Sequence, residues 1–246
     1  MRFWILAAPL MLLAACSGSG EANGNAASDT AAAPVAAVKP PEGKQWRDVV
    51  SATDLGMRMG NPDAPIKLIE YGSRMCPTCR KFEQDGFDPL ISNYVNSGKV
   101  SFEFRDYLVH GALDLPTTIL GECVSDDAFF PILEQMFQAQ PEFADKFTNM
   151  SEAEKNSIQS MDSNAIALML AQKMDVIDFM QKRGMTAEKA RACLADKGTI
   201  QKLADRMGEA AKMGVSGTPS FFLNGKQVED AVTWDQLEPK LKAAGA

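Results

Sequence analysis

Ile66 Lys67 Leu68 Ile69 Glu70 Tyr71 Gly72 Ser73 Arg74 Met75 Cys76 Pro77 Thr78 Cys79 Arg80 Lys81 Phe82 is the stretch on which the reading of this chain turns. Ile66 to Tyr71 is a short apolar run of strand character, and a helix-like stretch begins at Arg80. Between them stands a Cys-x-x-Cys, which puts two sulfurs at the mouth of a helix. The first N–H groups of a helix are unpaired and carry a partial positive charge, so a thiolate on the outer Cys76 is favoured and its pKa falls. A thiolate is the species that disulfide exchange needs. Cysteines three apart at a helical start face the same side and close a small disulfide without backbone movement. Pro77 suits an early helical position, where its missing N–H is not needed. The spacing therefore predicts a dithiol–disulfide switch. Half of a structural zinc site is a second reading, but it asks for another Cys or His pair at short spacing. The chain has one histidine, His110, and Cys16, Cys123 and Cys193 stand alone. An inert structural bridge is the third reading.

With 246 residues and 46% hydrophobic content, the chain can bury a sizeable core, as one domain once its N-terminus is set aside. A formal net charge of −7 and the lack of any Lys/Arg cluster argue against nucleic-acid binding, which rests on neutralising phosphates. The N-terminus reads as an export signal: Arg2, then the apolar run Phe3 to Ala15, too short to span a bilayer as a helix. Leu13 Ala14 Ala15 Cys16 resembles a bacterial lipobox. That resemblance implies a signal peptide at 1–15, acylation of Cys16, and a lipid-anchored protein on the periplasmic side of the envelope. Ser17 stands where an aspartate would imply inner-membrane retention, so the outer membrane is preferred. Residues 16–43 carry this cysteine and a stretch of Gly, Ala, Ser, Asn and Pro with almost no large apolar residue. It reads as a flexible tether spanning roughly 30 Å. The folded domain is expected over 44–246. Outside the cytosol disulfides persist, so four cysteines can form two bridges and lipidation accounts for the fifth.

Within the domain, Trp46 to Thr53 has strand-like content, Gly60 to Pro65 is turn chemistry, and Val100 to Arg105 alternates as a second strand. A parallel pairing of that strand with Ile66 to Tyr71 across the cysteine helix gives a right-handed β-α-β unit. From about Ala112 to Met213 the chain is rich in Ala, Leu, Met, Gln, Glu and Lys and reads as several helices, one of them starting at Thr186 as cap. Ser220 to Leu223, a turn at Asn224 Gly225, and Lys226 to Glu229 read as a hairpin before a last helix from about Trp234 to Ala243.

This order resembles the DsbA-like branch of the thioredoxin superfamily. The matching residues are Gly60 Asn61 Pro62 Asp63 Ala64, Glu70 Tyr71 with Ser73, Cys76 Pro77 Thr78 Cys79 with Phe82, and Gly214 Val215 Ser216 Gly217 Thr218 Pro219 Ser220 Phe221 Phe222. The resemblance runs from about Trp46 to the C-terminus and implies an α/β thioredoxin fold with a helical insertion of roughly 100 residues. It implies a cis Thr218–Pro219 bond beside the redox pair, with the Thr218 backbone open to an incoming peptide strand. It implies that Cys76 attacks or is attacked, that Cys79 resolves, and that Glu70 serves as a buried acid passing protons to the inner cysteine. Some relatives carry a second bridge within the insertion, which here would join Cys123 to Cys193, two free thiols being the alternative. Histidine stands at the Thr78 position in the best-known oxidase motif. A Thr78 hydroxyl donating to the sulfur brings no positive charge, so a moderately oxidising centre is expected.

The methionines of Ala165 to Met174 have helical spacing and no histidine nearby, so core packing is expected there rather than copper binding. His110 is assigned no chemistry, and no metal or cofactor is expected. The chain is thus expected to be an extracytoplasmic thiol:disulfide oxidoreductase donating disulfides to the thiols of exported proteins and peptides, with an unidentified redox partner at the membrane. Reduction or isomerisation of disulfides, and a non-catalytic peptide- or metal-binding lipoprotein, are the alternatives.

Overall fold

The computed structural model describes residues 32–246, so the expected signal peptide at 1–15, Cys16 and the first part of the tether lie outside the described residues. The centre of the fold is strand β3 (Ile66–Gly72), buried at both ends and paired on both edges. On one side it runs parallel to β4 (Val100–Asp106), from Ile66 opposite Val100 to Gly72 opposite Asp106. On the other it is antiparallel to β5 (Ser220–Leu223), which turns into β6 (Lys226–Val228). Asn224 and Gly225 make that turn with φ of 51° and 80°, the left-handed pair that a two-residue hairpin demands. Parallel neighbours need a crossover, and the cysteine helix supplies it. It starts as α1 (Pro77–Phe82) and continues through wide π-type turns at Glu83–Phe87 and Leu90–Val95. The expected β-α-β unit and thioredoxin fold with a helical insertion are therefore present.

Two further strands extend the sheet beyond β4, where β1 (Val50–Ala52) and β2 (Met57–Gly60) give the order β1-β2-β4-β3-β5-β6. The strand-like stretch from Trp46 opens instead with a tight helical turn over Trp46–Asp48. The insertion contains seven helices among the described residues. These are α2 (Leu115–Glu122), α3 (Asp126–Thr148), α4 (Glu152–Ser157), α5 (Ser163–Lys173), α6 (Val176–Gln181), α7 (Ala187–Ala195) and α8 (Lys197–Lys212). Thr186 caps α7 through its side chain, which accepts from Lys189 N–H at 3.1 Å. The last helix is α9 (Trp234–Ala243).

Two large apolar cores result among the described residues, beside a small cluster of Tyr71, Ala210, Val215 and Phe222. One lies between the sheet, the cysteine helix and α9, built on Leu68, Phe82, Phe102, Phe104, Phe221 and Leu237. The other fills the insertion around Ile119, Met136, Leu170, Met174 and Leu194. Ile166, Leu170 and Met174 of the methionine-rich run are buried in it. Cys123, just after α2, and Cys193 of α7 are joined as a disulfide across this second core. The loop it closes is 70 residues long, for which the chain-entropy account gives a stabilisation of about 4 kcal/mol.

The folded body starts earlier than Lys44. Ala32 N–H donates to Ala243 O at 2.9 Å, Val35 N–H to Gly245 O at 2.8 Å, and Val38 N–H to Ser97 O at 2.9 Å. Trp46 Nε1 returns a bond to Val38 O at 2.7 Å. Residues 32–38 thus form a strap over the leading ends of β3 and β4, where Ile66 N–H meets Lys99 O. An Ala- and Pro-rich composition hides this, because backbone bonds to distant residues and one valine on the core do the holding.

Candidate active site

The strand β3 ends at Gly72 and delivers Ser73 to Cys76 onto the start of α1. Four groups fasten this short connection. Ser73 Oγ donates to Asp114 Oδ1 at 2.8 Å and accepts from Met75 N–H at 3.1 Å. Arg74, fully buried, donates Nε to Asp106 Oδ1 at 2.8 Å and Nη2 to Asp106 Oδ2 at 3.0 Å. Cys76 N–H donates to Ser73 O at 3.0 Å. Gln140 of α3, also buried, gives Nε2 to Arg74 O at 3.0 Å and to Cys76 O at 2.9 Å.

Cys76 is the N-cap of α1, with Pro77 in the first turn where no N–H is required. Its Sγ accepts from Cys79 N–H at 3.5 Å and in the thiol form donates to Thr218 O at 3.4 Å. Both cysteines are free thiols. The thiol of Cys79 and, against burial, the Thr218 side chain and the N–H groups of Cys79 and Thr78 hold Cys76 down at about 5. The Thr218 hydroxyl is buried and has no hydrogen-bond partner within bonding distance, the contact to Cys76 Sγ being made by the Thr218 carbonyl. Thr78 therefore acts through its backbone amide, while its side chain is exposed: the expected hydroxyl donor is replaced by the helix end itself. Burial, then the bond to Cys76 and the charge on Glu70, push Cys79 well above the ordinary thiol value. One sulfur is an anion at neutral pH and the other a neutral thiol.

Pro219 follows Thr218 through a cis peptide, bringing the 218–219 turn against Cys76. Glu70 lies on β3 opposite Phe104 and Phe221, 3% exposed, and its Oε1 has no hydrogen-bond partner. Burial first, and the charges of Cys76, Glu83 and Asp106 after it, raise its carboxyl well above the usual range. Glu70 borders a small cavity, with room for about one water, shared with Phe82, Glu83, Phe104, Leu133, Glu134 and Phe137. Half-buried Glu83 is raised to about 7 by burial and by Glu134 and Asp88. The grouping of Glu70, Glu83 and Glu134 around one cavity is not visible in the sequence, because Glu134 reaches it from α3.

His110, assigned no chemistry above, is tied to a carboxylate: its N–H donates to Asp114 Oδ2 at 2.7 Å and its Nδ1 lies 3.2 Å from Asp114 Oδ1. Asp114 also holds Ser73, so His110 supports the cysteine connection from behind. Among the described residues no three His, Cys, Asp or Glu side chains are grouped to hold a metal ion, and no helix is long and apolar enough to cross a membrane.

The thioredoxin family model matches residues 52–243. A Rickettsia bellii protein named as a protein-disulfide oxidoreductase is 27% identical over 191 residues, covering 77% of this chain and 65% of its own length. The chain thus spans about two thirds of that relative. The crystal structure of a protein-disulfide isomerase from Novosphingobium aromaticivorans superposes with a TM-score of 0.71 at 28% identity, covering 76% of this chain and 95% of that one. Oxidised BdbD from Bacillus subtilis shares the fold, with a TM-score of 0.57 at 19% identity over 82% of this chain and all of its own.

Proposed function

This chain belongs to the thioredoxin family, and we propose that it is an extracytoplasmic thiol:disulfide oxidoreductase that donates the Cys76–Cys79 disulfide to exported proteins. The single observation that carries this reading is the split between the two sulfurs, Cys76 held near 5 at the helix start and Cys79 buried and neutral behind it. In the oxidised protein a client thiolate attacks Cys76 Sγ, the Cys76–Cys79 bond breaks, and Cys79 leaves. Glu70, protonated by its burial, supplies the proton that makes Cys79 a thiol. A second client thiolate then attacks the client sulfur of the mixed disulfide and expels Cys76 as a thiolate, a good leaving group because of its low pKa. The client has lost two electrons and gained a disulfide, and the pair is left as the dithiol. Reoxidation by a membrane disulfide carrier completes the cycle. The backbone beside Thr218 and Pro219 is the natural seat for the client strand. The Leu13 to Cys16 pattern supports export and lipid anchoring, and Ser17 after it favours the outer membrane. The names of the relatives support the reaction class.

The test is to mix the oxidised protein with a reduced, unfolded client that has two thiols. Stoichiometric client disulfide is expected, and Cys79→Ala, which cannot form the Cys76–Cys79 disulfide, should leave the client thiols reduced. Reshuffling of wrong bridges without net oxidation assigns the isomerase reading, and no exchange at all overturns both.

Glu70 gives a second expected outcome. A carboxyl whose folded pKa is raised costs stability as pH climbs from 4.5 toward the folded value, so the native state loses ground over that window. Glu70→Leu should stabilise the protein by about 1–3 kcal/mol, the cost of a buried polar group without a partner. The same change should slow expulsion of Cys79 by about a hundredfold through loss of the proton donor. Urea unfolding and stopped-flow mixed-disulfide kinetics read the two effects, and a variant that is less stable and equally fast contradicts both.

A further inference from the structure

The groups that make Cys76 acidic act on its sulfur, yet where that sulfur sits is decided by the Cys76 backbone. Sγ meets Cys79 N–H at 3.5 Å, and the help a helix end gives an anion fades within its first turn. Small rolls of the Ser73–Cys76 connection therefore decide how much thiolate is present. Arg80 N–H holds the Cys76 carbonyl at 3.1 Å from inside the helix. From outside, one group holds both the Cys76 and Arg74 carbonyls, and it is the Gln140 carboxamide, 3% exposed, reaching in from the middle of α3. Each carbonyl is main chain, so the contact fixes the path of the loop whatever its side chains are.

We propose that Gln140 is a positioning residue of the redox centre, the point at which the helical insertion sets the geometry of Cys76. The proposal deepens the oxidoreductase reading and rests on it. In this role the insertion is wired to the reacting sulfur, 64 residues away in sequence, through a side chain hydrogen-bonded to the main chain and to neither cysteine thiol. Loss of the carboxamide frees the loop to roll Sγ off the helix end. The thiolate is then less favoured, and so is the dithiol form of the pair.

The test uses the full chain with Gln140→Met, which keeps volume and removes both donors. Thiolate absorbance and alkylation kinetics should place the Cys76 midpoint about one unit above the wild type, with the glutathione equilibrium shifted about tenfold toward the disulfide form. Gln140→Asn keeps the carboxamide but draws it back by one carbon, and it should give the same displacement if the methionine variant does not fold. A variant that lowers the melting temperature while its midpoint and equilibrium stay within twofold of wild type overturns the proposal. Loss of folding in both variants overturns it as well, by assigning Gln140 to the fold alone. Should the wild-type midpoint itself lie near 9, the oxidoreductase reading fails instead, and that result is independent of Gln140.

Discussion

Alkylation of Cys76 is expected to run at a nearly constant rate from pH 9 down to about pH 6, to reach half its value near 5, and to fall tenfold per unit below that. An unperturbed thiol with a pKa of 9.0 would lose its reactivity over the very range in which Cys76 holds steady. The magnitude of this shift decides what it is for. At pH 7 it raises the thiolate fraction about a hundredfold, while a Brønsted coefficient near 0.45 makes that thiolate roughly sixtyfold less nucleophilic. Attack gains almost nothing. Equilibrium gains a great deal: two units between 9 and the ambient pH stabilise the dithiol by about 2.7 kcal/mol, or about 60 mV toward stronger oxidising power. A depressed thiol contributes stability to the reduced protein above its ordinary value, and that contribution is lost as pH falls through about 5. The stability gap between reduced and oxidised proteins should therefore change by about 4 kcal/mol between pH 8 and pH 4, read by urea unfolding, and a gap that stays constant with pH would refute the assignment.

Replacing Arg74 by Met is expected to cost about 3–5 kcal/mol of folding stability. Arg74 and Asp106 face each other with side chains 0% and 1% exposed, so the truncation leaves a carboxylate buried without its cation. Thr118 Oγ1, at 3.4 Å from Asp106 Oδ1, cannot replace it. The guanidinium also lies over the Phe129 ring at 4.9 Å and against α2 at Gly121, where a Cβ would come within 2.2 Å of Nη1. Gly121 is thus required by close approach. The companion variant carrying both Arg74→Met and Asp106→Leu should recover most of the loss, since apolar replacement of a buried pair is often neutral. Urea unfolding of the two variants separates the cost of an orphaned charge from the cost of altered packing, and equal losses in both would disprove the ion-pair account.

What was legible in the sequence was local. Cys76, Pro77 and Cys79 announce a helix start, Asn224 and Gly225 announce a hairpin, and α9 runs from Trp234 to Ala243 as its pattern implies. The β2 strand was missed because Met57 Arg58 Met59 Gly60 has no β-branched residue, and its pairing with β1 and β4 supplies what propensity lacks. Asp106 and Gln140 stand 32 and 66 residues from Arg74, so their convergence on the cysteine connection depends on tertiary folding that no local window contains. Glu70 was visible as a residue, but its burial and missing partner depend on Phe104 and Phe221 opposite it in the sheet.

The strap over residues 32–38 has one practical outcome. It crosses the floor of the strands, whereas Cys76 stands past the seventh residue of β3, about 20 Å higher along the sheet at 3.3 Å per residue. A pull or a bulky attachment applied ahead of Ala32 is taken up by α9 and the base of β4, and the thiols look the other way.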